Sequence, residues 1–269
     1  MWGEWVYDMR ISNMDYYAYI SRLRGVNAKL KVTVSIIALL CCILANNIWV
    51  SVYVIITMAL ISVFAGKLPM KKYFSFLMIP IAFMIMGSIA IAIDFSRHPM
   101  AGGWNLPVFS IYLCITRVSL GKALLVIGKA LGAVSALYML TLSTPANEIV
   151  LVLRSLHIPK LIIELMNMIY RFIFIMLDTQ SKMYQAAQSR LGYVDFRTSV
   201  KTFGSTAGNL LIVSLRKANV YYDALESRCY DGELLFLEEE KKVKGIQIIE
   251  SIFYFVILGI LWCVSKYGF

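Results

Sequence analysis

The sequence predicts an all-α fold: a polytopic helical membrane protein with about five transmembrane helices and one polar helical region. Three observations predict it. The 269 residues are 59% hydrophobic and only 16% charged, against about 25% charged residues in a soluble domain. No charge falls between Lys31 and Lys67, a gap of 35 residues, too long for one span and suited to two short ones. Residues 143–244 gather 13 of the 26 basic and 11 of the 16 acidic side chains, as a solvated region beside a membrane core would.

Each element follows from these patterns in order. Within the charge-free gap, Asn46-Asn47 favours a turn, which predicts helices over Val32–Ala45 and Ile48–Ala65. The first is short of the roughly 20 residues that a span needs, so it must begin before Lys31 or the turn must dip into the membrane. The uncharged run Tyr73–Ile93 predicts a third span. "DFSRHPMAGGWNLPVFSIYLCITR", Asp94–Arg117, carries Pro and Gly in its first half and reads as a surface loop or hairpin. Val118–Leu142 is the fourth span and Ile246–Val264 the fifth. The chain thus divides into residues 1–142 with four spans, a polar region 143–244, and a last span in 245–269.

Basic residues set the orientation. Arg22, Arg24, Lys29 and Lys31 precede the first span, and Lys67, Lys71 and Lys72 join the second to the third. The turn between spans one and two is uncharged, and the loop after span three holds only Asp94, Arg97 and Arg117. The positive-inside rule then predicts a cytoplasmic N-terminus and a cytoplasmic Ser143–Lys244, in a cell membrane. "MWGEWVYDMRISNMDYYAYISRLRG" is amphipathic, with no apolar core of the length a signal peptide requires. The net charge of +10 reads as contact with the lipid bilayer and its anionic headgroups; no basic stripe interleaved with aromatics suggests nucleic acid. The cysteines are five and contain no C-x-x-C; Cys41, Cys42 and Cys263 read as small hydrophobes.

The polar region carries the phrase of greatest interest, twice. "AAQSRLGY" spans Ala186–Tyr193, and "ALESRCYDG" spans Ala224–Gly232. Pro145 suits a helix start with Thr144 before it, and Pro159 ends that helix and begins another. From Lys160 to Leu191 neither Gly nor Pro intervenes, so Leu161–Arg190 predicts a helix of about 45 Å stopped at Gly192. Leu210–Arg228 predicts a second. Each ends on a Ser-Arg pair. A cation at a helix C-terminus is ordinarily a cap on the last carbonyls. Two matching arginines at matching ends suggest instead two plugs for two equivalent sockets, since arginine presents a permanent charge and a rigid fork of donors.

The stretch Leu142–Tyr193 resembles the transmembrane T component of energy-coupling factor (ECF) transporters, in particular the cobalt-transport Q subunits (CbiQ-like). Ser143-Thr144-Pro145, Pro159-Lys160, Tyr170-Arg171-Phe172-Ile173, Arg190 and Gly192-Tyr193 fall in the family's register. "LRKANVYYDALESRCYDGE" is similar to its second motif region, and "YAYISRLRGVNAKLKV" to its cytoplasmic entry into the first span. The resemblance implies a non-catalytic coupling subunit between a substrate-binding membrane subunit and two ATP-binding cassette ATPase subunits. It implies two coupling helices in residues 143–244. It also implies two ATPase-docking motifs, Ser189-Arg190-Leu191 and Ser227-Arg228-Cys229. The sequence departs from the pattern at Leu191, bulkier than the usual small residue, and at Cys229, where glycine is common. Cobalt is the substrate the resemblance implies first, nickel next, and a vitamin-type system is the alternative within the family.

Other chemistries fit less well. Gly128-Lys129 has Ala123 at the first glycine position of a phosphate-binding loop and Ala130 after the lysine, so ATP hydrolysis belongs to partner chains. His98 and His157 are the two histidines, and Asp94–His98 alone is no metal site, so no cofactor or metal is expected on this chain. Lys129, with Lys122 seven residues earlier, lies inside the fourth span and reads as a contact to another helix or subunit. Glu238-Glu239-Glu240 followed by Lys241, Lys242 and Lys244 reads as a solvated face. A stand-alone secondary transporter or channel would show an inverted repeat, and none is visible. A membrane enzyme would show paired aspartates or a histidine cluster, and neither is visible.

Overall fold

The computed structural model describes residues 14–45, 47–92, 94–96, 104–108, 111–156, 158–231, 241, 243 and 245–267. The expectations for the N-terminal thirteen residues, Asn46, Arg97, His98, His157, Gly232, and the Glu238–Glu240, Lys242 and Lys244 positions lie outside the described residues. The chain forms two compact units, one holding Asn13–Pro145 with the C-terminal helix and the other holding the helices from Ala146 to Glu226.

The first unit opens with α1 (Met14–Ile20) and a 3-10 turn, Arg22–Gly25. Helix α2 (Ala28–Leu44) follows, begun by Asn27, whose side chain accepts from the Lys29 amide. The helix therefore starts ahead of Lys31. Its 17 residues reach about 26 Å, short of a ~30 Å hydrocarbon core. Asn47 then starts α3 (Ile48–Leu60) by accepting from the Trp49 amide at 2.8 Å, and a π turn extends it through Ile61–Ala65. Helix α4 (Met70–Ala92), α5 (Arg117–Ser143) and α9 (Gly245–Tyr267) complete the long apolar elements. Among the described residues four stretches are long and apolar enough to cross a membrane: Ile48–Ala65, Met70–Ile91, Arg117–Ser143 and Gly245–Val264. The first predicted span, Val32–Ala45, corresponds to the shorter α2 and is not among these four. Between α4 and α5 the predicted loop or hairpin is a small antiparallel sheet: β1 (Asp94–Ser96), β2 (Trp104–Val108) and β3 (Ile111–Ile115), in the order β1-β3-β2.

Helix α5 is the hub, packing against α1, α2, α3 and α4. Small residues on it permit this, since close helix approach within lipid depends on absent side chains. Gly128, Gly132, Ser135 and Ala136 are all buried. A Cβ at Gly132 would run into Cys42 Sγ. Around this lane pack Val34, Ala38, Cys42, Val54, Met58, Ala136, Met139 and Leu258. By contrast, only 6% of the α9 span and 17% of the α4 span are buried within the chain, so their outer faces are left for lipid or for other chains. Helix α4 contains Pro80, which has no N–H for the carbonyl four residues before it. That carbonyl belongs to Phe76, and Tyr138 Oη of α5 donates to it at 3.0 Å. The proline is tolerated because a neighbouring helix satisfies the freed acceptor.

Side-chain hydrogen bonds to backbone carbonyls close the end where α2 and α9 begin and α5 finishes. Lys31, 4% exposed, donates from Nζ to Ser143 O at 2.8 Å and to Leu23 O at 3.1 Å. Asn27 Nδ2 donates to Lys241 O at 2.6 Å, and Lys241 Nζ to Arg24 O at 2.6 Å.

Among the described residues the second unit is three helices: α6 (Ala146–Arg154), α7 (Lys160–Ser189) and α8 (Phe196–Glu226). Pro159 stands at the α7 N-cap, as expected. Helix α8 begins at Phe196 rather than near Leu210. It runs straight through Gly204 and Gly208, where an added Cβ would meet nothing within 4 Å. Glycine weakens an exposed helix interior by about 1 kcal/mol, which a 31-residue helix tolerates twice.

Candidate functional site

Helices α7 and α8 end in the same way, residue for residue. Leu191 takes a left-handed conformation (φ 58°) directly after Arg190, and Cys229 does so (φ 59°) directly after Arg228. At the first end the Gly192 amide donates to Ala187 O at 2.9 Å and the Leu191 amide to Gln188 O at 3.0 Å. At the second the Tyr230 amide donates to Leu225 O at 3.1 Å and the Cys229 amide to Glu226 O at 2.9 Å. Both are Schellman closures, in which the six-to-one and five-to-two bonds satisfy the last helical carbonyls. Each arginine is the residue immediately before the left-handed turn. Two of the terminal carbonyls at each end, Ala187 O and Gln188 O at the first and Leu225 O and Glu226 O at the second, are thus closed by backbone amides rather than by an arginine.

The side chains at both ends project from this frame. Ser189 donates its hydroxyl to Gln185 O at 2.9 Å, and Ser227 to Ala224 O at 3.0 Å. Ser189, Arg190, Leu191, Ser227, Arg228 and Cys229 are all exposed. Among the described residues neither guanidinium is seen in an ion pair, whereas Lys182 pairs with Asp178 at 2.7 Å. Beside the second end the Glu226 carboxylate pushes the Tyr222 phenol above its ordinary value, by its charge first and by hydrogen bonding next. The Leu191 and Cys229 conformations are costly for residues with a Cβ, about 1 kcal/mol or more each. No glycine stands at either position to signal them; Gly192 instead sits one place later, where a Cβ would meet Ala187 O and Thr202 Cγ2 at 2.9 Å.

The six residues form two separate ends rather than one site. Gly192 lies against Thr202 near the start of α8, and Arg228 follows the far end of that 31-residue helix. At about 1.5 Å per residue the two ends stand on the order of 40 Å apart. Helix α8 has no buried residue, and α7 buries Ile163 and Glu164 near its start. Such an arrangement can present two permanent cations to two distant acceptors. Among the described residues no group of three or more His, Cys, Asp or Glu could hold a metal ion. Of the lysines singled out within the fourth span, Lys122 is exposed and Lys129 half-buried, with the Lys129 carbonyl accepting from Cys42 Sγ at 3.5 Å.

Comparison with known proteins agrees with this architecture. A family model described as cobalt transport protein, CbiQ, matches residues 21–240. An uncharacterised protein of Methanocaldococcus jannaschii is 29% identical over 93% of each chain. A putative fused cobalt transport protein CbiMQ of Methanocorpusculum labreanum is 28% identical over 91% of this chain and 41% of its own length. The cobalt transport protein CbiQ of Salmonella typhimurium is 26% identical over 62% of this chain and 74% of its own. The long apolar helices make this a multi-pass membrane protein, and the match across residues 21–240 places it in the CbiQ cobalt transport protein family.

Proposed function

We propose that this chain is the non-catalytic transmembrane coupling subunit of an ATP-driven ECF-type importer for cobalt. On this reading residues 143–244 are the coupling region, and Ser189-Arg190-Leu191 and Ser227-Arg228-Cys229 dock into two ATPase subunits. The observation that carries it is the identity of the two ends: the same Ser-Arg step, the same closure, the same exposure. Two equal plugs on one chain fit two equal sockets, which a pair of like ATPase subunits supplies. The Methanocorpusculum relative, named as a fusion and matched over 41% of its length, supports a partner membrane chain that binds the ion. Hydrolysis falls to the partners because the sequence carries no phosphate-binding loop.

Uptake of radiolabelled cobalt by cells expressing this chain with its neighbouring genes tests the reading. Uptake above the empty-vector level is expected, with nickel competing. A vitamin-uptake gain with cobalt at the vector level would overturn the substrate assignment.

The proposed orientation puts the N-terminus and residues 143–244 in the cytoplasm of a plasma-membrane protein. A cysteine at exposed Thr198, in a chain with all five native cysteines replaced by alanine, should resist a membrane-impermeant thiol reagent in intact cells. It should react after permeabilisation. Labelling of intact cells would reverse the topology.

A further inference from the structure

Residues 66–69 join two spans, between the π-turn end of α3 at Ala65 and the start of α4 at Met70, so they stand where hydrocarbon gives way to headgroups. The chain folds a second segment onto this link. Ser21 Oγ donates to Gly66 O at 3.4 Å. A Cβ at Gly66 would lie 3.3 Å from that same Oγ and would run into Ser62 O, so glycine is what lets the two segments approach. The residue after Ser21 is Arg22 and the residue after Gly66 is Lys67, both exposed. Long cationic side chains that start one residue beyond a hydrogen-bonded pair can both reach one phosphate. Lys67 has a φ of 55°, in the left-handed region that glycine holds more readily than a residue with a Cβ. The backbone gains nothing from a side chain at that position, so the charge is what lysine adds.

Two further observations point to the kind of ligand. This end of the unit is cationic: Arg22, Arg24, Lys29, Lys67 and Lys71 are exposed, and the acidic side chains described there are Asp15 and Glu250. Apolar side chains adjoin the cations in sequence, Phe64 at the close of α3 and Met70 and Phe74 in the first turns of α4, each more than half exposed. A soluble anion would cover the charges and leave these apolar groups in water. A phospholipid covers both, with its phosphate on the cations and its acyl chains along the apolar groups. Arg24 is engaged elsewhere, its guanidinium 5.2 Å from the centroid of the Tyr19 ring.

We propose that Arg22 and Lys67 form a two-sided site for the phosphate of one anionic phospholipid, whose chains lie against Phe64, Met70 and Phe74. General attraction of basic loops to headgroups needs only net charge; this site needs these two cations. It lies wholly within the unit built on α5 and does not depend on the docking reading.

Native mass spectrometry of the full purified chain, titrated with phosphatidylglycerol in detergent, counts the lipids bound. The unaltered chain should retain one phosphatidylglycerol that phosphatidylcholine does not displace. Arg22→Gln/Lys67→Gln should weaken that binding on the order of 30-fold, about fivefold for each cation at an anionic headgroup. Arg24→Gln/Lys29→Gln removes the same charge from the same end and should leave the binding unchanged. Equal losses from the two pairs would reduce the effect to general surface charge and overturn the site, as would no loss from Arg22→Gln/Lys67→Gln. Should that double variant not stay monodisperse, Lys67→Gly relieves the left-handed residue and removes the charge. It should raise the thermal midpoint in detergent alone by about 2–4 °C and lose the further rise that phosphatidylglycerol gives the unaltered chain. A lipid-induced rise as large as in the unaltered chain would make Lys67 a helix-end residue and overturn the site. Inorganic phosphate should give no such rise; protection equal to the lipid's would assign the cations to a soluble anion and overturn the lipid assignment. Variants that keep the lipid but lose the ATPase subunits in pull-down would assign the cations to a protein surface and overturn it likewise.

Discussion

Replacing Arg190 and Arg228 together by alanine is expected to abolish cobalt uptake and capture of the ATPase subunits while leaving the helical fold in place. The fold survives because the two helix ends are closed by backbone amides, Gly192 to Ala187 and Tyr230 to Leu225, which do not depend on either side chain. What each arginine adds to its own helix is the dipole interaction, about 0.3–1 kcal/mol for an exposed cation. Its value to a partner is far larger. Removing one member of a buried, hydrogen-bonded charge pair at an interface costs on the order of 2–5 kcal/mol, which is a roughly 30-fold or greater loss of affinity per site. Two sites on one rigid chain also act on each other, since docking one end raises the effective concentration of the second. Single Arg→Ala variants should therefore weaken assembly, and the double variant should end it. Lysine at either position should restore only part, because it keeps the charge and loses the planar fork. Pull-down of the ATPase subunits and cobalt uptake, from membranes with matched subunit levels, check both halves. Normal values for the double variant would reduce the arginines to helix-end residues with no docking role.

The membrane elements are legible in the sequence because hydrophobic length is a property of composition alone. The predicted Ile48–Ala65 is reproduced to the residue, as α3 and its π turn. Tyr73–Ile93, Val118–Leu142 and Ile246–Val264 lie within a few residues of α4, α5 and α9. The start of α2 is the harder boundary. A charge ordinarily marks the edge of a span, yet Lys31 is inside the helix and 4% exposed, because distant carbonyls receive its ammonium. Nothing local in the sequence announces those partners. The predicted start of α8 falls too late for a related reason: glycine is a helix breaker by propensity, but Gly204 and Gly208 lie where the helix surface is open. At the two arginine ends the placement is legible from the repeated phrase, and the geometry is not. A left-handed turn is read from glycine, and here Leu191 and Cys229 adopt it. The contacts of Arg171 and Phe172 with the Tyr221 ring join residues about 50 positions apart, beyond the reach of any helical periodicity.

Lys31→Met is expected to weaken the unit built on α5 by about 3 kcal/mol. Lys31 Nζ donates to Ser143 O at 2.8 Å and to Leu23 O at 3.1 Å. Ser143 is the last residue of α5, so the ammonium sits at the negative end of a 27-residue helix dipole. A hydrogen bond from a charged donor contributes roughly 1.5–3 kcal/mol, and deleting the donor leaves a buried carbonyl that must be desolvated without a partner. Methionine keeps the apolar stem, so the loss reads the ammonium rather than packing. Burying the cation had its own cost, which the variant recovers, and this holds the net effect near the lower end of two such bonds. Lys29 supplies the control: it lies two residues away on the same helix and is exposed, so Lys29→Met should change stability by less than about 0.5 kcal/mol. Arginine at position 31 should retain part of the loss, since it keeps the charge but brings a bulkier head into a closed site. The measurement is the thermal midpoint of the purified chain in detergent, read as the fraction remaining monodisperse. Lys31→Met should lower it by on the order of 5–10 °C relative to Lys29→Met. Midpoints that agree within about a degree would mean that the carbonyls of Ser143 and Leu23 find other donors and that Lys31 is no clamp.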